Sequence, residues 1–91
     1  MPAPNLKRGH TMKIDILGPG CHNCKTLERL ARESVAALGI DAEITKVTDY
    51  AAIASYGIMS TPGLVLDGEV VVSGRVPSGA EVTELMAARA G

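Results

Sequence analysis

Apolar residues along this chain recur first at every second position and then at every third or fourth. Met12, Ile14 and Ile16 alternate with Lys13 and Asp15, the spacing of a strand over residues 12–17. Gly18-Pro19-Gly20 interrupts that pattern. From about His22 to Leu38 the apolar positions Leu27, Leu30, Ala31, Val35 and Leu38 fall on one helical face, with Lys25, Glu28, Arg29, Arg32 and Glu33 on the other. Glu28 and Arg32 stand four apart, close enough to pair, and Gly39 supplies the stop. Residues 41–47 alternate more weakly, with Ala42, Ile44 and Lys46 on one side and Glu43, Thr45 and Val47 on the other. Asp49 is placed to cap a short helix that runs through Ser55 and ends at Gly57.

Two further runs, Leu64–Leu66 and Val70–Val72, flank Asp67-Gly68, the strongest short signal for a β-hairpin. Gly74 and Pro77 end the second run. Ser78, with Glu81 three residues on, forms a capping box that opens a last helix with Val82, Leu85 and Met86 on its apolar side. The predicted order is β-α-β-α-β-β-α. A strand–helix–strand unit crosses over right-handed with parallel strands, whereas a hairpin is antiparallel. The expected fold class is therefore α/β, one mixed four-stranded sheet flanked by helices. Residues 1–11, which carry Pro2, Pro4 and Gly9 without periodicity, are expected to be a mobile N-terminal extension before a single domain over residues 12–91. His10 lies in that extension and reads as a solvated histidine rather than a metal ligand.

Composition narrows the class. A chain of 91 residues makes one domain with a small core, and with no Phe or Trp and only two Tyr that core is aliphatic. A formal charge of −1 gives no pull toward nucleic acid or an anionic membrane. No apolar run approaches the ~20 residues that span a bilayer. Lys7 and Arg8 precede no apolar stretch, so no signal peptide is read and a cytoplasmic location is expected.

Chemistry enters with the only two cysteines, Cys21 and Cys24, in Gly20-Cys21-His22-Asn23-Cys24-Lys25. They stand where the first strand gives way to the first helix. Unpaired N–H groups at a helix start favour thiolate over thiol, and thiolate is the reactive form. In a reducing compartment such a pair is more often catalytic or metal-binding than structural. On spacing alone, redox exchange and thiolate metal binding both stand.

CxxC after the first strand, Thr61-Pro62 ahead of a hairpin and a closing helix together resemble the thioredoxin superfamily, most closely its small glutaredoxin-sized, redox-active disulfide proteins. The resemblance runs from Met12 to Gly91 and is strongest in GPGCHNC at 18–24 and YGIMSTPGLVLDGEVVVSGRVP at 56–77. It implies a thioredoxin-like fold, with Cys21 as nucleophile and Cys24 as the thiol that resolves the mixed disulfide. It also implies a cis bond at Pro62 and a Thr61 backbone that pairs with an extended substrate beside the cysteines. Gly20 and His22 flank Cys21 and are expected to touch the substrate. Asp15, six residues before Cys21, matches a carboxylate that assists proton transfer to the second cysteine; a partly exposed strand aspartate is the plain alternative. His22, if protonated, would favour the Cys21 thiolate; an exposed first-turn histidine without effect is the alternative.

The chain also departs from the pattern. Gly20 stands where many thioredoxins have Trp, and His22-Asn23 matches neither the Gly-Pro of thioredoxins nor the Pro-Tyr of glutaredoxins. Ser73-Gly74-Arg75-Val76-Pro77 replaces the Gly-Gly-Asp element that holds glutathione, and Arg75 reads as a solvated surface arginine. The expected function is a protein-disulfide oxidoreductase, monomeric, with no cofactor or bound metal, recycled by a reductase. Two other classes remain: a Cu(I) or zinc carrier using Cys21, Cys24 and His22, and a redox-sensing adaptor module. One CxxC supplies only two of zinc's four usual ligands, and a terminal helix with Thr61-Pro62 argues against a copper chaperone.

Overall fold

The computed structural model describes residues 11–20 and 22–90; the expected extension, with His10, falls outside the described residues except for Thr11, and so does Cys21. Strands β1 (Met12–Leu17) and β3 (Gly63–Leu66) form the middle of one sheet, with β2 (Ala42–Val47) and β4 (Glu69–Ser73) at its edges. The order is β2-β1-β3-β4. β1 and β2 are parallel, Met12 opposite Ala42 through Leu17 opposite Val47, and helix α1 (His22–Leu38) connects them. β3 runs antiparallel to both β1 and β4. Helix α2 (Tyr50–Ser55) lies between β2 and β3, and α3 (Gly79–Ala90) ends the fold.

The period-two pattern of β1 splits the core in two. Met12, Ile14 and Ile16 face α1 and α3, where Leu27, Ala31, Val82 and Met86 pack over Leu64, Leu66 and Val72. Leu17 points to the other face with Val65 and Ile53, joined by Val47, Tyr56 and Ile58. The weaker pattern of β2 resolves the same way: Ala42 and Ile44 join the first cluster and Val47 the second. Lys46 is exposed, its ammonium 3.6 Å from the Glu28 carboxylate. That is the behaviour of a charged side chain at a sheet edge.

The hairpin is two residues longer in β4 and one in β3 than its apolar runs alone define. Asp67 (φ 51°) and Gly68 (φ 87°) both take positive φ, as a tight two-residue hairpin turn requires. Asp67 also clamps β1, its N–H donating to the Lys13 carbonyl (2.7 Å) and its Oδ1 accepting from the Lys13 N–H (2.9 Å). A bulge between Leu64 and Val65 makes Val71 the extra residue of β4. Consecutive Val71 and Val72 thereby both pack toward α1 and α3, while Val70 faces α2.

Two caps were legible and one was half right. Asp49 accepts from the Ala52 N–H at 2.9 Å and so starts α2. Ser78 Oγ accepts from the Glu81 N–H at 3.1 Å, but the Glu81 side chain does not return to complete the box. It is taken instead by Arg75, whose guanidinium donates to both carboxylate oxygens at 2.9 and 2.5 Å. Arg75, expected to be solvated, is thus ion-paired although half exposed. Ser34, a polar residue on the buried face of α1, is 3% exposed and its hydroxyl meets that of Thr83 on α3 at 2.9 Å.

Candidate active site

The end of β1, the start of α1 and the start of β3 converge at one end of the sheet. Cys24 is the third residue of α1 and is 5% exposed. His22 and Asn23 before it, and Lys25 after it, are exposed. Helical geometry explains the contrast: Cys24 shares the inward face with Leu27 and Ala31, at spacings of three and seven. Gly18, the first residue past β1, lies directly beneath the sulfur. A β-carbon built on Gly18 would stand 2.0 Å from Cys24 Sγ, 3.3 Å from Cys24 Cβ and 3.8 Å from Thr61 Cβ. The sequence marks Gly18 only as a strand breaker; its contact with residue 24 needs the fold.

The Thr61–Pro62 peptide bond is cis. Pro62 is buried and Thr61 half-buried. The Pro62 carbonyl accepts from the Gly74 N–H at 2.9 Å, which ties the loop before β3 to the end of β4. Gly74 has φ 80°, and a β-carbon there would press on Ser60 Cβ at 3.2 Å. The Thr61 side chain is near Gly18, so the Thr-Pro loop and the cysteine helix are neighbours, although Cys24 and Thr61 stand 37 positions apart in sequence.

Gly20 supplies a physical reason for the absent tryptophan. Its φ is 94°, a region that L side chains enter only under strain, and no atom beyond its chain neighbours lies within 4 Å of its missing β-carbon. His22 is the exposed first residue of α1, and its carbonyl accepts from Thr26 Oγ1 at 3.1 Å.

Asp15 lies on the α2 side of the sheet, half-buried, and Oδ2 accepts from the Tyr56 hydroxyl at 3.0 Å. Neither a fully buried nor a merely solvated carboxylate, it has a fixed partner that sequence patterning had not identified. The same bond, then partial burial and then the Asp15 charge, raises the Tyr56 hydroxyl above its ordinary value.

Charges gather around a cavity of about 70 Å³ beside the sulfur, which Gly18, Cys24, Lys25, Glu28, Lys46 and Thr48 help to line. Glu28 accepts from Arg32 Nε (3.0 Å) and Nη2 (2.8 Å) and stands 3.6 Å from the Lys46 ammonium. The Arg32 hydrogen bonds, helped by Lys46, hold its carboxyl below the usual carboxylate range against an opposing effect of desolvation. A second, more open groove of about 230 Å³ runs between α2 and the Thr-Pro loop, lined by Tyr50, Ile53, Ala54, Ile58, Met59 and Thr61. Tyr50 and Met59 are the large apolar side chains left exposed among the described residues, Met59 almost completely so. Among those residues no group of three or more potential metal ligands is found, and no helix is long and apolar enough to cross a membrane.

Residues 12–87 match the model of a family described as a thioredoxin domain. A thioredoxin of Methanothermobacter thermautotrophicus is 47% identical over 75 residues, covering 82% of this chain and 97% of its own. A thioredoxin of Methanocaldococcus jannaschii is 42% identical over 71 residues, 78% of this chain and 81% of its own. Among solved structures, the thioredoxin of Plasmodium falciparum superposes with a TM-score of 0.62 at 15% identity, over 96% of this chain and 88% of that one. Deadhead, a germline-specific thioredoxin of Drosophila melanogaster, gives 0.63 at 15% identity, over 93% and 88%. At such identities these two likenesses speak for the fold.

Proposed function

Because the chain belongs to the thioredoxin domain family of thiol–disulfide oxidoreductases, we propose that it reduces protein disulfides with Cys21 as nucleophile and Cys24 as resolving thiol. The Cys21 thiolate attacks one sulfur of the client disulfide, forming a mixed disulfide and releasing the client's other sulfur as thiolate. The Cys24 thiolate then attacks Cys21 Sγ. The intramolecular disulfide forms, the mixed one breaks, and the client's second thiolate leaves and takes a proton from solvent. Two electrons pass to the client, and a reductase returns them to the pair.

One observation carries the order of the two sulfurs: Cys24 is 5% exposed between exposed neighbours. A client the size of a protein cannot reach a sulfur so shielded, whereas an attack from the adjacent cysteine needs no such access. Thr61 offers its backbone to an extended client segment, and Pro62 holds that loop beside the cysteine helix. Gly20 and His22, both exposed, flank the point of client approach. Asp15 acts in moving the proton from Cys24, with Tyr56 fixing its carboxylate. The working state is a cytoplasmic monomer without cofactor.

Insulin-disulfide reduction by dithiothreitol tests the reading. The wild-type protein accelerates it, Cys21→Ser abolishes the acceleration, and Cys24→Ser stalls as a mixed disulfide with the client. A wild-type rate equal to that of Cys21→Ser would overturn the proposal. Metal analysis of the same preparations separates it from a carrier, which would hold stoichiometric copper or zinc.

A further inference from the structure

Among the described residues the glycines with positive φ are Gly20, Gly39, Gly57, Gly68 and Gly74, and Gly18 is not one of them. Its backbone conformation therefore does not demand glycine; the space around it does. A side chain there would occupy the position of the Cys24 sulfur, with Thr61 Cβ on another side at 3.8 Å. The strand end cannot back away to make room. The Gly18 N–H is bonded to the Val47 carbonyl at 2.9 Å, and Leu17 before it is fully buried and paired with Gly63. The depth of the sulfur is thus set from below by an atom that is missing.

We propose that Gly18 is a positioning residue for the resolving step, its bare Cα forming the seat that holds Cys24 Sγ for attack on the mixed disulfide. The inference rests on the dithiol mechanism above. In that step the bond between Cys24 Sγ and Cys21 Sγ forms while the bond from Cys21 to the client breaks, and the electron pair leaves on the client sulfur. Thiolate attack of this kind needs close approach and alignment of reacting atoms, and misplacement by about 1 Å costs on the order of 10²-fold in rate. A methyl group on Gly18 forces such a displacement, because the sulfur must rotate away from it. The first step uses Cys21 and does not depend on the seat.

The aromatic disulfide dithiobis-nitrobenzoate separates the two steps, since attack by the first thiol releases one coloured thionitrobenzoate and resolution releases a second. In Gly18→Ala the first release keeps the wild-type rate and the second slows on the order of 10²-fold. In a Cys24→Ala background only the first release remains, and adding Gly18→Ala leaves its rate unchanged. A second release at the wild-type rate in folded Gly18→Ala overturns the inference. So does a first release slowed by Gly18→Ala in the Cys24→Ala background, which would show an effect on the fold rather than on the sulfur. Should Gly18→Ala alone fail to fold, Cys24→Ala with and without Gly18→Ala is compared by thermal melting. Folding restored by removal of the sulfur supports the seat, and a double variant that stays unfolded overturns it. A wild-type protein that releases no thionitrobenzoate sinks the dithiol mechanism itself, a result distinct from every failure of the seat alone.

Discussion

At the scale of single residues, partners chosen across the fold decide what each polar group does. Tyr56 shows this most directly, since its hydroxyl is spent on Asp15 across 41 positions of sequence. In the unfolded chain tyrosine ionises near pH 10, and the bond to Asp15 raises that value in the folded one. The contribution is therefore complete below about pH 10 and is lost as pH rises through the folded value. Tyr56→Phe is expected to cost about 1 kcal/mol at neutral pH. Its urea-unfolding free energy should also fall less steeply than the wild type's above pH 10. Parallel curves for the two proteins on the alkaline side would show that the bond does not govern Tyr56 ionisation. Gly20 and Gly18 form an instructive pair, two glycines in one tripeptide kept for opposite reasons. The first has open space but a left-handed backbone; the second has ordinary φ but no space.

At the scale of elements, local signals were legible wherever the deciding forces were local. Alternation placed β1, helical spacing placed α1 from His22 to Leu38, and Asp49 and Asp67-Gly68 acted as cap and turn. What sequence spacing did not reveal was non-local. Glu81 suits a capping box by position, yet Arg75 outcompetes the Ser78 N–H for its carboxylate with two charge-assisted bonds. Ser34 looks misplaced on an apolar face until α3 brings Thr83 to it. The cysteine pair and Thr61-Pro62 could be picked out by motif, but neither Tyr56 nor the Gly18 seat carries a motif. Only half of the α3 box is made, and the half that exists has a definite worth. Ser78→Ala should lower stability by about 1 kcal/mol, read from the midpoint of chemical unfolding, through loss of the bond to the Glu81 N–H. An unchanged midpoint would mean that the Arg75–Glu81 pair holds the start of α3 without it.

At the scale of the whole molecule, an aliphatic core without Phe or Trp must be filled closely to hold so short a chain. Leu27 lies fully buried between α1 and the sheet. Leu27→Ala should cost about 2–5 kcal/mol, against a typical total of roughly 5–15 kcal/mol, and lower the melting temperature accordingly. Met59→Ala, at an almost fully exposed position, should fall within about 0.5 kcal/mol of wild type. A comparable loss at both positions would contradict the assignment of the core. The sheet order has its own consequence. Gly18 leaves one central strand, Thr61 and Pro62 lead into the other, and the two strands are paired, Leu17 with Gly63. Edge strands can peel from a sheet in partial openings, but central strands part only when the domain melts. The floor beneath Cys24 is thus tethered on both sides to strands that open last, and amide exchange at the Leu17–Gly63 pairing is expected to follow melting of the whole domain rather than fraying of an edge.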